Sequence, residues 1–103
     1  MKVRIVHRPE ADAHIRSADS WWKENTARPE LFIDEFDRFL DLIETNPDIG
    51  RPYKHRKISH VRRVLMPQAK YHIYYMRDPD VFEVILLAVW SAVRGRAPSI
   101  KKS

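Results

Sequence analysis

The sequence predicts an α+β fold in the order β-α-α-β-β-β: a helical hairpin packed on a small, mainly antiparallel sheet. Three observations carry this. Apolar residues recur at helical spacing through the first half of the chain. After residue 60 the period shortens, and β-branched and aromatic residues dominate. The last long segment, "EVILLAVW", is apolar on nearly every residue, as a strand covered on both faces must be.

Each element has its own signature. "KVRIV" (2–6) alternates apolar and basic residues and reads as a short strand. Pro9 and Glu10 suit a first helical turn: proline has no N–H to leave orphaned there, and an early carboxylate meets the helix dipole. Ala11, Ile15, Ala18 and Trp22 then form one stripe of a helix running to about Asn25. Trp22 continues the stripe into the core, whereas Trp21 lies off it. Pro29 and Glu30 open a second helix, whose Phe32, Phe36, Phe39 and Ile43 repeat the spacing. Phe36, Phe39 and Ile43 are expected to face the sheet. "TNPDIG" (45–50) ends this helix, with Pro47 as breaker and Gly50 at the bend. "VRRVLM" (61–66), "KYHIYY" (70–75) and "FEVILLAVW" (82–90) read as three consecutive antiparallel strands. Pro67-Gln68 and Asp78-Pro79-Asp80 punctuate them.

The 103 residues suit a single domain over 1–103, with 98–103 as a loose tail. There is no cysteine, which excludes disulfides and thiol catalysis and fits a cytoplasmic protein. The N-terminus has no apolar stretch of the kind a secretory leader needs. The longest apolar run, Val84–Trp90, is far too short to cross a membrane. Histidines 55 and 60 have no cysteine or carboxylate at ligand spacing, so neither a metal site nor a cofactor is expected.

Charge is unevenly placed. The net charge is +5, but residues 1–48 carry −4, residues 49–77 carry +8 with no acid, and residues 78–103 carry +1. Within "GRPYKHRKISHVRRVLM" (50–66), six of the thirteen residues from Arg51 to Arg63 are Lys or Arg. Such an asymmetry concerns partners rather than fold. Arg51, Tyr53, Lys54, Arg56, Lys57, Arg62 and Arg63, with Arg94 and Arg96 of the tail, are the candidate contacts for an anionic partner. No sequence-reading nucleic-acid motif is present, so phosphate attraction would be independent of sequence and sensitive to salt.

The element order, "NPDIGRP" closing the hairpin, "VRRVLMPQAKYHIYY" as strand, turn and strand, and "EVILLAVWSAVRGRAP" as last strand and tail resemble the toxins of RelE/ParE type toxin–antitoxin pairs. The resemblance covers nearly the whole chain. It implies a small α+β toxin, related to plasmid stabilisation systems and bound in a hetero-oligomer by a cognate antitoxin. That antitoxin would lay an amphipathic helix and then an extended segment across it. It also implies one of two targets: DNA gyrase for a ParE-like toxin, or mRNA in the ribosomal A site for a RelE-like one.

The residues bear on that choice. Metal-free RNA cleavage needs a base for the 2′-hydroxyl, cations for the phosphorane charge and an acid for the leaving oxygen. Arg62, Arg63, His72 and Arg94 are the polar set such an enzyme would use. Arg62 and Arg63 are adjacent on a strand, so only one of them serves a given face. His72 and Tyr74 share a face, with Tyr71, Ile73 and Tyr75 on the other. Relatives that cleave RNA carry a His or Tyr near the tail; this chain has Ser91 there, and a serine hydroxyl does not titrate near neutrality. Three readings follow: a gyrase-directed toxin with no chemistry of its own, a ribosome-dependent endoribonuclease, and an antitoxin-binding relic without toxicity. The missing proton carrier favours the first and third over the second.

Overall fold

The computed structural model describes residues 2–101. It contains β1 (Arg4–His7), α1 (Pro9–Asn25), α2 (Leu31–Thr45), β2 (Arg51–Pro52), β3 (Val61–Met66), β4 (Tyr71–Arg77) and β5 (Glu83–Ser91). The sheet order is β1-β5-β4-β3-β2. β1 pairs with β5 in parallel; the other neighbours are antiparallel. β5 therefore lies inside the sheet, as its unbroken apolar run requires.

β2 is an addition to the expected order. It is two residues long, and one of them is a proline that cannot donate to a ladder. No periodicity announces so short a strand, and at the sheet edge a proline is tolerated.

The helices lie on one face of the sheet. In α1, Ala11 and Ala18 are buried, Ile15 and Trp22 pack beside them, and Trp21 is left exposed. In α2, Phe32, Phe36 and Ile43 are buried. The rings of Phe32 and Phe36 lie parallel at 6.1 Å, and Phe32 meets Tyr71 edge-on at 5.0 Å. Phe39, expected to share this burial, is only half-buried, with the Arg38 guanidinium 6.0 Å from its ring. Helical spacing fixes the direction of a side chain, not how far the sheet extends beneath it.

One charged residue enters this layer. Glu35 is 2% exposed. Its carboxylate accepts the N–H groups of Gln68 at 3.0 Å and Ala69 at 2.8 Å, and the Arg38 guanidinium lies 3.6 Å away. Glu35 thus holds the β3–β4 turn, which closes through Lys70 in the left-handed region at φ 62°. The turn after α2 is held from the sheet by Tyr75 and Arg62, which bond to residues 47–50.

The opposite face is half covered. Ile58, Val61, Tyr74, Leu87, Ala88 and Ile100 form a second buried cluster. A register irregularity at Tyr74/Tyr75 pairs these residues with Ala88 and Leu86 and passes over Leu87. Leu87 and Ala88 both join this second cluster as a result. The tail expected to be loose over 98–103 is packed across its described part: Pro98 and Ile100 are buried, and Arg8 Nη1 donates to the Lys101 carbonyl at 2.6 Å. Residues 102–103 lie outside the described residues. Among those described, no helix is long and apolar enough to cross a membrane.

Candidate functional site

The uncovered part of the second face gathers many of the residues singled out by sequence. Cross-strand pairing builds two rows. Arg51, Arg63, Tyr74 and Ala88 form one, and Leu65, His72 and Trp90 form the other. Arg51 and Arg63 stand directly opposite each other, both exposed. Like charges at such a position are unfavourable unless an anion lies between them.

Arg63 rests on aromatics rather than on a carboxylate. Its guanidinium is 5.2 Å from the ring of Tyr53 and 6.0 Å from that of Tyr74, and the two tyrosines meet edge-on at 5.1 Å. Tyr53, one of the candidate contacts, is half-buried beneath Arg63 and packs against the second cluster. Beside it, Trp90 carries Arg94 at 4.2 Å and Arg96 at 6.0 Å, and its indole N–H donates to the Arg96 carbonyl at 3.0 Å. Cation–π contact of this kind holds a guanidinium in place while leaving its N–H donors free for an incoming anion.

Adjacent Arg62 points to the other face and is spent there. Its Nη1 donates to the Gly50 carbonyl at 2.6 Å and the Asp48 carbonyl at 3.3 Å, with the Asp48 carboxylate 3.6 Å from Nε. Arg62 is thus engaged with the turn at 46–50, whereas Arg63 stays exposed on the uncovered face. Lys54, Arg56 and Lys57 are exposed in the loop between β2 and β3, whose Ile58 is buried against the second face. This loop sends its apolar residue inward and its cations outward.

His72 lies next to Tyr74 at 6.0 Å. Burial, and then the Arg63 charge, hold its imidazole below the ordinary value, so it is neutral near neutral pH. Ser91 does not replace the missing proton carrier: its Oγ accepts the Val93 N–H at 3.3 Å, a turn bond.

A second histidine comes into the region from α1, unforeseen in the sequence. His14 packs on Trp90 at 5.2 Å, and its Nδ1 accepts the Val89 N–H at 3.2 Å. Burial first, then Arg94, lower its pKa; Glu10 opposes them weakly. With its one lone pair engaged, neutral His14 has no free nitrogen to act as a base. No spacing could have announced a contact spanning 75 residues. Among the described residues no group of His, Cys, Asp and Glu is placed to hold a metal ion.

Comparison with known proteins places this geometry. Residues 5–94 match the family model described as ParE toxin of type II toxin-antitoxin system, parDE. Among solved structures, the chain is similar to the RelBE2 toxin–antitoxin complex of Mycobacterium tuberculosis. That match has a TM-score of 0.64 at 13% identity and covers 88% of this chain and 99% of that one. It is also similar to the chromosomal ParDE system of P. aeruginosa, with a TM-score of 0.61 at 13% identity over 87% and 96% of the two chains. The intact RelBE complex of E. coli gives a TM-score of 0.57 at 14% identity over 89% and 99%. At these identities the likeness is one of fold. No curated protein sequence matches the chain.

Proposed function

Because this chain belongs to the ParE toxin family of type II toxin–antitoxin systems, we propose that it is a cytoplasmic toxin held inactive by a cognate antitoxin. We further propose that it acts on DNA gyrase through binding rather than through chemistry of its own. The observation that carries the second part is the scarcity of proton carriers on the uncovered face. In-line RNA cleavage needs a base and an acid together. Of the three described groups weighed above, His72 alone is available: His14 has its lone pair engaged, and Ser91 is spent in a turn. What the face does offer is a set of guanidiniums, Arg51, Arg63, Arg94 and Arg96, three of them seated on aromatic rings. That suits adhesion to an anionic, DNA-bearing target.

Two assays run in parallel test this. Purified toxin is added to a gyrase supercoiling reaction with a cleavage-complex readout, and to translated mRNA followed by primer extension. Loss of supercoiling without discrete A-site cuts is expected, and Arg63→Ala should weaken the effect. The neutral imidazole of His72 beside Arg63 supports a second, RelE-like reading. Discrete A-site cuts that vanish in His72→Ala would establish that reading and overturn the first. Silence in both assays, with antitoxin binding intact, would mark a relic.

A further inference from the structure

A cleft of about 710 Å³ lies between the end of β5 and the second half of α1, a size that suits a small molecule. All three tryptophans of the chain line it, together with Tyr71. Trp21 is the most open of them, at 52% exposure. The polar lining is rich in donors. Lys70 and Arg94 bring two cations, and no carboxylate lines the cleft. Both cations stand on fixed supports. Lys70 sits in the left-handed region; its N–H donates to the Met66 carbonyl at 2.9 Å, and its carbonyl accepts the Ala92 N–H at 2.8 Å. The Arg94 guanidinium lies 4.2 Å from the Trp90 ring, a contact that holds it while leaving its N–H groups to a ligand. The Val89 N–H is taken by His14, so the imidazole has only an N–H left to offer. Residues two apart on a strand turn their backbone groups to the same side. The Ser91 N–H is therefore directed to the flank that His14 occupies, and no described residue accepts it.

We propose that this cleft is a binding site for a small planar aromatic carboxylate, its ring against Trp21 and its carboxylate held by Lys70 and Arg94. The lining selects that class by elimination. A cation is repelled. A neutral ring displaces water from two cations and an N–H without replacing the lost hydrogen bonds. A bare inorganic anion leaves the aromatic wall wet. A carboxylate conjugated to a ring satisfies both halves of the lining at once. It is flat, it carries the acceptors that the donors lack, and its two oxygens match the fork of a guanidinium. Lys70 and Trp21 take no part in the surface proposed for gyrase, so the cleft binds its ligand whether or not that reading holds.

The probe is naphthoate, titrated into the full chain and followed by calorimetry and by the Trp21 indole N–H resonance. Binding to a single saturable site is expected. Naphthalenemethanol, the same ring system without the charge, should bind about tenfold more weakly, and acetate should leave the resonance unmoved. Lys70→Asn removes the charge with a residue that tolerates the left-handed region, and should weaken binding about tenfold. Trp21→Ala should weaken it about tenfold as well, and Trp21→Phe less. Both positions are exposed, so these variants should keep the wild-type thermal midpoint. Phe82, 70% exposed just before the start of β5, is the control, and Phe82→Ala should bind naphthoate as the wild type does. Absence of saturable binding overturns the proposal. Equal affinity for the alcohol does so too, marking a merely apolar groove, as does an equal shift from inorganic phosphate, marking a site for anions in general. Equal losses in Phe82→Ala and Trp21→Ala would mark adhesion to exposed rings and overturn it as well.

Discussion

The hydroxyl of Tyr75 and the backbone of Gly50 are fitted to each other. Tyr75 Oη accepts the Gly50 N–H at 2.8 Å and donates to the Pro47 carbonyl at 2.8 Å. A Cβ added at residue 50 would stand 2.7 Å from the same oxygen. Gly50 does not have a positive φ. It is required at the bend for close approach, not for a left-handed backbone. Tyr75→Phe leaves the buried Gly50 N–H without an acceptor and should cost about 1–3 kcal/mol. Gly50→Ala should also destabilise, by displacing the ring. Urea midpoints check both, and wild-type stability in Gly50→Ala would show that the tyrosine can retreat.

Glu35 should matter more than an ordinary helix carboxylate. Glu35→Ala orphans the N–H groups of Gln68 and Ala69 and leaves a hole at the turn. A loss of about 1–3 kcal/mol is expected for each donor left unsatisfied in the interior. The amide exchange of Ala69 should rise together with the fall in midpoint. A stable variant with unchanged exchange would mean that water replaces the carboxylate.

The core of α2 gives a paired comparison. Phe32→Ala should cost about 3–5 kcal/mol, since its ring is fully buried against Phe36 and Tyr71. Phe39→Ala should cost clearly less, because that ring lies at the margin of the layer. Equal losses in thermal or urea unfolding would show that Phe39 is covered as the helical spacing alone suggests.

Acid should weaken the fold through His14 and His72. Both are held below the ordinary imidazole value of 6.5 in the folded chain. As pH falls, the unfolded chain takes up these protons first. Stability from these groups is therefore complete above the unfolded pKa and is lost as pH drops through the folded values. Protonated His14 also cannot accept the Val89 N–H. Denaturation midpoints should fall as pH is lowered through and below the ordinary imidazole value of 6.5. His14→Asn, which can accept but not titrate, should flatten part of that slope. An identical slope in the variant would remove His14 from the account.

Adjacent arginines should behave oppositely. Arg62→Ala frees the carbonyls of Asp48 and Gly50 and should cost about 1–2 kcal/mol. Arg63→Ala should leave stability within about 0.5 kcal/mol but slow association with an acidic partner and flatten its salt dependence. Stopped-flow rates at low and high salt separate the two. An association rate that ignores salt in the wild type would mean that steering is not the use of this surface.

Periodicity by itself determined the two helices, the three long strands and the interior place of β5. Each depends on repeats within a few residues, and "EVILLAVW" has no polar face to turn outward. It also determined that Arg62 and Arg63 face opposite ways, since a strand alternates. It did not determine which of them is free, because that depends on where the turn at 46–50 folds back. Tertiary structure alone decided that Arg62 serves Gly50 while Arg63 rests on tyrosines, that Glu35 is buried to hold a turn 33 and 34 residues away, and that His14 reaches Val89. It also decided that the tail packs rather than hangs loose, since Ile100 is buried on a face formed by residues far earlier in the chain. Local sequence fixes the direction of a side chain; what stands there to receive it depends on contacts distant in sequence, and those exist only once the layers are assembled.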